Sequence, residues 1–397
     1  MSRLEQAQQE NLRIDGLTHQ FYEPIPFRVE SGADLVRLRS EWLKRDSIPC
    51  HVPAREAGLD HSWPGMDVRT LLTGDNSSGR ISAHDIIVPP GGAVAPHWLE
   101  TGDAFIFVMN GKIEITVGRT RETARRESFA YVPARTTTAW RNNSNAPARL
   151  YVLYSPAGVD RAFAEAHELW VRSCDAAAEA YQTVLARYGF RFDLAGLLEN
   201  DTRTNSKPQR MDYAINSFED FQAMREAWSR RTPTPKLMHD ATTCNKVQLP
   251  DGIDSSVLVS GDECSGRGVL FFGCGQPGYV AGPHYQPSEE ELFFIVEGEM
   301  ELTCGANRIL VKEGGFGFAP RGATHAFTVT GRRPARFLTF NSPAGHERSF
   351  EMIMEEVRKM EPGAPLSPRF IERISHHGSQ LHNSDMLEPL REAASGV

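Results

Sequence analysis

Short runs of β-branched and aromatic residues recur along most of this chain, among them Ala104–Met109, Ile113–Val117, Leu150–Tyr154, Leu292–Glu297, Met300–Cys304 and Phe337–Phe340. Gly, Asn and Pro punctuate them at roughly ten-residue intervals, the rhythm of an antiparallel sandwich or barrel. Elsewhere the period changes. Between Arg161 and Tyr188 the apolar positions Phe163, Ala166, Trp170, Cys174, Ala177, Tyr181 and Val184 fall three or four apart ahead of Gly189, which predicts one long amphipathic helix with a glycine stop. The stretch SGADLVRLRSEWLKR places Leu35, Leu38 and Trp42 on one stripe, so a second helix is expected to pack its apolar side on a barrel.

The chain repeats itself. SPAGVDRAF begins at Ser155 and SPAGHERSF at Ser342, 187 residues later, and the same offset pairs Gly91 with Gly278, His97 with His284, Gly111 with Gly298 and Pro133 with Pro320. Upstream, Asp34, Arg39, Trp42 and Arg45 pair with Asp220, Arg225, Trp228 and Arg231. Each repeat is therefore a helical lead-in, a β-rich body and a trailing helix, and the fold class expected is all-β, two jelly-roll barrels in tandem with flanking α-helices. The expected boundaries are a first repeat over 1–198, a polar linker over 199–214, a second repeat over 215–362 and a tail over 363–397. In that tail His376 and His377 read as solvated polar residues rather than a metal site.

Composition narrows the function classes. At 397 residues the chain is long enough for two cores, and 40% apolar with 24% charged residues is the balance of a globular protein. A net charge of -8 without a Lys/Arg-rich run argues against a nucleic-acid surface. No stretch reaches the roughly 18 apolar residues of a membrane helix, and MSRLEQAQQENLRIDG has no secretory apolar region, so a cytoplasmic protein is expected. Six scattered cysteines without a CxxC pair suggest reduced, mostly buried thiols.

The chemistry concentrates in the second repeat. Gly278 is followed by His284, Gln286, Glu291 and Gly298, and further on come Gly314, Pro320, Gly322 and His325. These spacings resemble the two motifs of the cupin superfamily, G-x5-H-x-H-x4-E-x6-G and G-x5-P-x-G-x2-H, with Gln286 where the family usually has its second histidine and Val329 where a trailing Asn is usual. Residues two apart on a strand share a face, so His284 and Gln286 are expected to project together into the barrel. Glu291 lies an odd number of residues on and needs a turn in PSEEE to join them, for which Pro287 and Ser288 are suited. Two imidazoles and one carboxylate form the set that favours Fe(II) and leaves positions for substrate and dioxygen, although Mn, Ni, Co or Cu fit the same ligands. Gln286 is either a weak fourth ligand or a hydrogen-bond donor beside the ion. In the first repeat His97 survives, but Leu99, Ala104 and Thr138 replace the other three and Arg135 replaces the turn glycine. Asp103 is adjacent to Ala104 but faces the other way on a strand, so that barrel is expected to be kept for structure or for shaping a pocket, with His97 a core histidine.

The two-barrel layout, PHYQPSEEELFFIVEGEMELTCG and the SPAG ending resemble the quercetin 2,3-dioxygenase branch of the cupins. That resemblance implies a mononuclear metal enzyme that binds a small enolic or aromatic substrate, such as a flavonol or a phenolic compound, with Glu291 taking its proton before dioxygen attacks and a C–C bond breaks. Two other classes stand beside it. One is a non-oxidative metal-dependent isomerase, epimerase, lyase or decarboxylase of the same fold; the other is a small-molecule binding protein without turnover. Bicupins often exchange their lead-in arms between barrels or subunits, which keeps a homodimer in view.

Overall fold

The computed structural model of this protein describes residues 21–174, 177–192, 208–243, 246–249, 253–305, 307–357, 359–360, 367 and 370. His376, His377 and all of the expected tail but residues 367 and 370, like residues 199–207 of the expected linker, lie outside them. Among the described residues five α-helices frame the strands: α1 (Gly32–Trp42), α2 (Val159–Arg172), α3 (Ala178–Arg187), α4 (Phe218–Ser229) and α5 (His346–Val357). Helices α1 and α4 start at Ser31 and Ser217, whose hydroxyls accept from the N–H groups of Asp34 and Asp220, the ordinary remedy for unpaired amides at a helix start. Leu35, Leu38 and Trp42 are buried on α1 as the stripe predicts.

One expected element is corrected. The single helix over Arg161–Tyr188 is two helices, because Ser173 leaves the helical conformation (φ -148°, ψ 80°) and Ala177 is extended (φ -64°, ψ 154°). The apolar spacing runs on through the break although Cys174 and Ala177 are exposed there; α2 packs on strands Ser82–Val88 and Asp67–Leu72 of the large sheet and α3 on Phe190–Arg191 of the small one, a change of partner that periodicity alone cannot see.

Each half contains two facing sheets. In the first, strands in the order Lys236–Met238, Phe129–Val132, Asp103–Asn110, Ala148–Ser155, Ser82–Val88, Asp67–Leu72 and Leu59–Asp60 form seven. They face five: Phe190–Arg191, Ala93–Leu99, Thr138–Arg141, Lys112–Val117 and Thr120–Arg125. The second half repeats the large sheet as Cys50–Val52, Phe316–Ala319, Glu290–Glu297, Ala335–Ser342, Val269–Gly275, Ile253–Val259 and Lys246–Leu249, and the small one as Val280–His284, His325–Val329, Glu299–Cys304 and Asn307–Lys312. The halves trade edge strands: Cys50–Val52 pairs with Phe316–Phe318, and Lys236–Met238 pairs with Phe129–Tyr131. Each lead-in thus closes an exposed edge on the other half.

Alternation along the central strands explains the long apolar runs. In Leu292–Val296, Phe293 and Ile295 fill the inside of the second barrel, whereas Leu292, Phe294 and Val296 join Phe105, Phe107, Tyr131 and Tyr151 in a core shared by the two large sheets. Both faces are dry, so no polar alternation remains. Phe294 and Tyr151 stack there with centroids 3.9 Å apart. Among the described residues no helix is long and apolar enough to cross a membrane.

Candidate metal centre

His284 ends one strand of the small sheet and His325 begins its neighbour, so the two residues lie directly opposite in register. Their rings sit 4.4 Å apart at 61°. The bends at Pro287 and Ser288 then let the chain start the strand Glu290–Glu297 on the large sheet, which brings Glu291 across to them. Glu291 Oε2 lies 2.8 Å from His325 Nε2 and 3.7 Å from His284 Nε2, and it accepts a 2.7 Å hydrogen bond from Gln286 Nε2. His284, Gln286, Glu291 and His325 are all buried. The structure therefore brings together all four sequence-selected residues.

The donor set fits a cation. His284 Nδ1 lies 2.7 Å from the Gly282 carbonyl and His325 Nδ1 lies 2.8 Å from the Ala323 carbonyl. A carbonyl oxygen can only accept, so both Nδ1 atoms carry protons and each Nε2 of a neutral ring presents a lone pair. These lone pairs converge with a carboxylate oxygen, and one ligand atom from each of the three residues lies within 4.8 Å of the others. Such a cluster of acceptors repels itself unless a proton or a metal sits within it. Burial alone would raise the Glu291 carboxyl, but when a proton occupies that place the bonds to His284 and His325 and the positive charge beside the carboxylate outweigh it, holding the group well below the usual carboxylate range. Gln286 Oε1 is buried with no hydrogen-bond partner, a further acceptor available to an ion.

Beside these residues opens a cavity of about 90 Å³ with Phe271, Tyr279, Phe327, Phe337 and Phe350 on its walls and His284, Glu291 and His346 among its polar lining. The aromatic density of this region thus divides: Phe293 is barrel core, Phe294 faces the other half, and these five walls are open to a ligand. His346 was not singled out by the motifs. The signal that could have found it is internal, since Val159 stands at the matching position of the first repeat.

The first barrel repeats the frame without the chemistry. His97 is opposite Thr138, and its Nδ1 bonds the Ala95 carbonyl at 2.9 Å as His284 does its own counterpart. Phe190 and Phe192 cover the ring at 5.2 and 5.7 Å, and burial pushes the imidazole down to about 4, so it is neutral. The remaining space is about 10 Å³, the room of a single water. Asp103 turns away from it to accept from Tyr131 Oη and the Ala134 N–H. Arg135 takes the left-handed conformation (φ 61°) that Gly322 takes in the second barrel (φ 78°). Among the described residues the His284, Glu291 and His325 group is the one cluster of three such ligands.

A family model described as the cupin domain matches this sequence twice, over residues 84–154 and 272–341. The chain carries two cupin domains in tandem. Among solved structures, Bacillus subtilis oxalate decarboxylase is similar at 14% identity, with 76% of this chain and 78% of that chain covered and a TM-score of 0.49. A Pseudomonas aeruginosa protein described as glyoxylate-induced is 12% identical over 70% of this chain and 81% of its own (TM-score 0.47), and the Escherichia coli protein Ylba is 11% identical over 77% and 98% (TM-score 0.46). At these identities the likeness concerns the fold alone. No curated protein sequence matches the chain.

Proposed function

We propose that the second cupin domain holds one divalent transition metal on His284, Glu291 and His325, with Gln286 as a fourth ligand or as the donor that steadies Glu291, and that the protein is a dioxygenase cleaving a small enolic or aromatic substrate. The observation that carries this reading is the convergence of two imidazole nitrogens and a carboxylate oxygen at the edge of an aromatic-walled cavity. Two histidines and one carboxylate favour Fe(II). When bound, such an ion supplies Lewis acidity toward an enolic or phenolic oxygen and open positions for substrate and dioxygen. The residues of the chain supply the rest: Glu291, kept ionised, can accept the substrate hydroxyl proton, and the aromatic walls orient a flat ring and exclude water. The chemistry is that of the quercetin 2,3-dioxygenase branch, which the sequence resembles.

A second reading is favoured by Gln286. One imidazole fewer than the usual cupin set makes the ion less readily oxidised, which suits a non-oxidative isomerase, epimerase, lyase or decarboxylase. Elemental analysis of purified protein, followed by an oxygen-electrode screen of flavonols, diketones and phenolic acids, tests both. We expect about one ion per chain in the wild type, none in His284→Ala or His325→Ala, and oxygen uptake that Glu291→Ala abolishes. Turnover without oxygen would support the second reading, and metal content unchanged in both histidine variants would remove the site.

A further inference from the structure

The two halves build one frame twice, so the places where they differ are informative. Arg39 of α1 donates from Nε to the Ala157 carbonyl and from Nη1 to Thr101 Oγ1, both at 2.8 Å. Arg225 of α4 makes the same bonds to the Ala344 carbonyl (2.7 Å) and Ser288 Oγ (2.8 Å). Asp160 on α2 and Glu347 on α5 likewise each accept from two glycine N–H groups, Gly74 and Gly158 in one half and Gly261 and Gly345 in the other. Beside this duplicated frame, and apart from the metal-site residues, Glu289 and His346 also lack a polar counterpart in the first half. Glu289 stands where the first half has Gly102, and His346 where it has Val159.

These two residues are neighbours. His346 Nδ1 lies 3.7 Å from Glu289 Oε2, and the other oxygen of Glu289 is paired with Arg225. Glu289 is completely buried, and burying a carboxylate is costly even beside a cation. The His346 ring is held edge-on by Phe350 at 4.6 Å and Phe271 at 6.1 Å, and it lines the same cavity as His284 and Glu291. As the first residue of twelve-residue α5, it also stands at the helix end that favours negative charge.

We propose that His346 touches the substrate, sharing one hydrogen bond between its Nε2 and an acidic oxygen, a phenol or enol hydroxyl other than the one Glu291 faces, bound across the cavity from His284 and Glu291. Glu289 is the positioning residue behind it. The proton of this bond lies on the substrate oxygen or, when the O–H bond breaks and leaves its electron pair on oxygen, on Nε2, and the imidazolium so formed faces Glu289. The inference rests on the metal-site reading above and adds the chemical class of the ligand.

The test uses 4-nitrocatechol, whose visible absorbance reports ionisation of its hydroxyl, titrated into metal-loaded full-length protein with metal content and thermal midpoint measured for each variant. We expect His346→Leu to bind the probe at least about tenfold more weakly, and His346→Gln, which keeps a hydrogen-bonding group, to stay within about threefold of wild type. Glu289→Ala should leave metal content unchanged and weaken probe binding at least about threefold, while Glu289→Gln, which keeps an oxygen facing His346 Nδ1, should restore it. If metal-loaded wild type does not bind the probe, or if His346→Leu binds it as wild type does, the proposal is overturned while the metal site stands. A wild type that takes up no metal ends both.

Discussion

Arg80 reaches from the first half of the chain to Glu290, the residue beside Glu291 in the second half, and replacing it by leucine tests whether one barrel supports the other. Its Nη1 lies 2.6 Å from Glu290 Oε1, to which Ser47 Oγ also donates at 2.6 Å. Glu290 is 1% exposed and is the neighbour of Glu291. Burial raises the Glu290 carboxyl above its usual range, opposed by the charge of Arg80 and by the bonds from Ser47 and Arg80. Stranding one member of a buried pair typically costs about 3–5 kcal/mol. Two features reduce that here: a quarter of the Arg80 side chain is exposed, and Arg321 Nη2, 3.9 Å from the same oxygen, can partly take its place. We therefore expect Arg80→Leu to lower stability by about 2 kcal/mol at neutral pH, read from urea unfolding followed by tryptophan fluorescence. The double variant Arg80→Leu, Glu290→Leu should recover most of this, because no charge is then stranded. The counterpart pair, Arg267 and Asp103 at 3.8 Å with Arg267 half exposed, provides an internal control, and Arg267→Leu should cost under about 1 kcal/mol. An Arg80→Leu protein within about 0.5 kcal/mol of wild type, or a double variant weaker than the two single losses combined, would refute the argument.

Gly261→Ala should destabilise by about 1–3 kcal/mol, because its new Cβ would come within 2.6 Å of the ring of Trp228, which is wholly buried and cannot retreat; Gly74→Ala against Trp42 should behave alike in thermal unfolding. Acid should weaken the fold through His97: its folded value of about 4 lies below the ordinary 6.5, so the unfolded chain binds the proton first, and stability is complete above pH 6.5 and falls as pH drops toward 4. Urea midpoints at pH 7.5 and 4.5 should show His97→Leu losing about 2–3 kcal/mol less than wild type between them. Removing metal with a chelator should lower the thermal midpoint, and restoring Fe(II) or Mn(II) at about a hundredfold excess over Kd should return about 2.7 kcal/mol in wild type, with no response in His325→Ala.

Much of the site is legible in the sequence because its parts are local. His284 and Gln286 are two residues apart, Glu291 follows one short turn, and His325 sits just past a Pro-Gly turn, so strand geometry and motif spacing select them before any fold is known. His346 and Glu289 were not legible in that way, since neither belongs to a spaced motif and their pairing depends on where α5 begins relative to a strand more than fifty residues earlier. The break between α2 and α3 escaped for a related reason: apolar periodicity cannot tell which partner a helix meets, and here α2 packs on the large sheet and α3 on the edge strand Phe190–Arg191 of the small one, with Cys174 and Ala177 exposed between them.

By itself the chain determined the duplication, the strand-rich bodies, the lead-in helices and the contrast between the barrel with the full candidate ligand set and the one that keeps a single histidine of it, all of which depend on neighbours in sequence or on comparison of one half with the other. Tertiary structure decided what long-range contact alone can decide: the trade of Cys50–Val52 for Lys236–Met238 between sheets, the shared aromatic core, the reach of Arg80 to Glu290, and the cavity in which His346 meets the site. Local periodicity encodes which face of an element is dry, but not which partner makes it so.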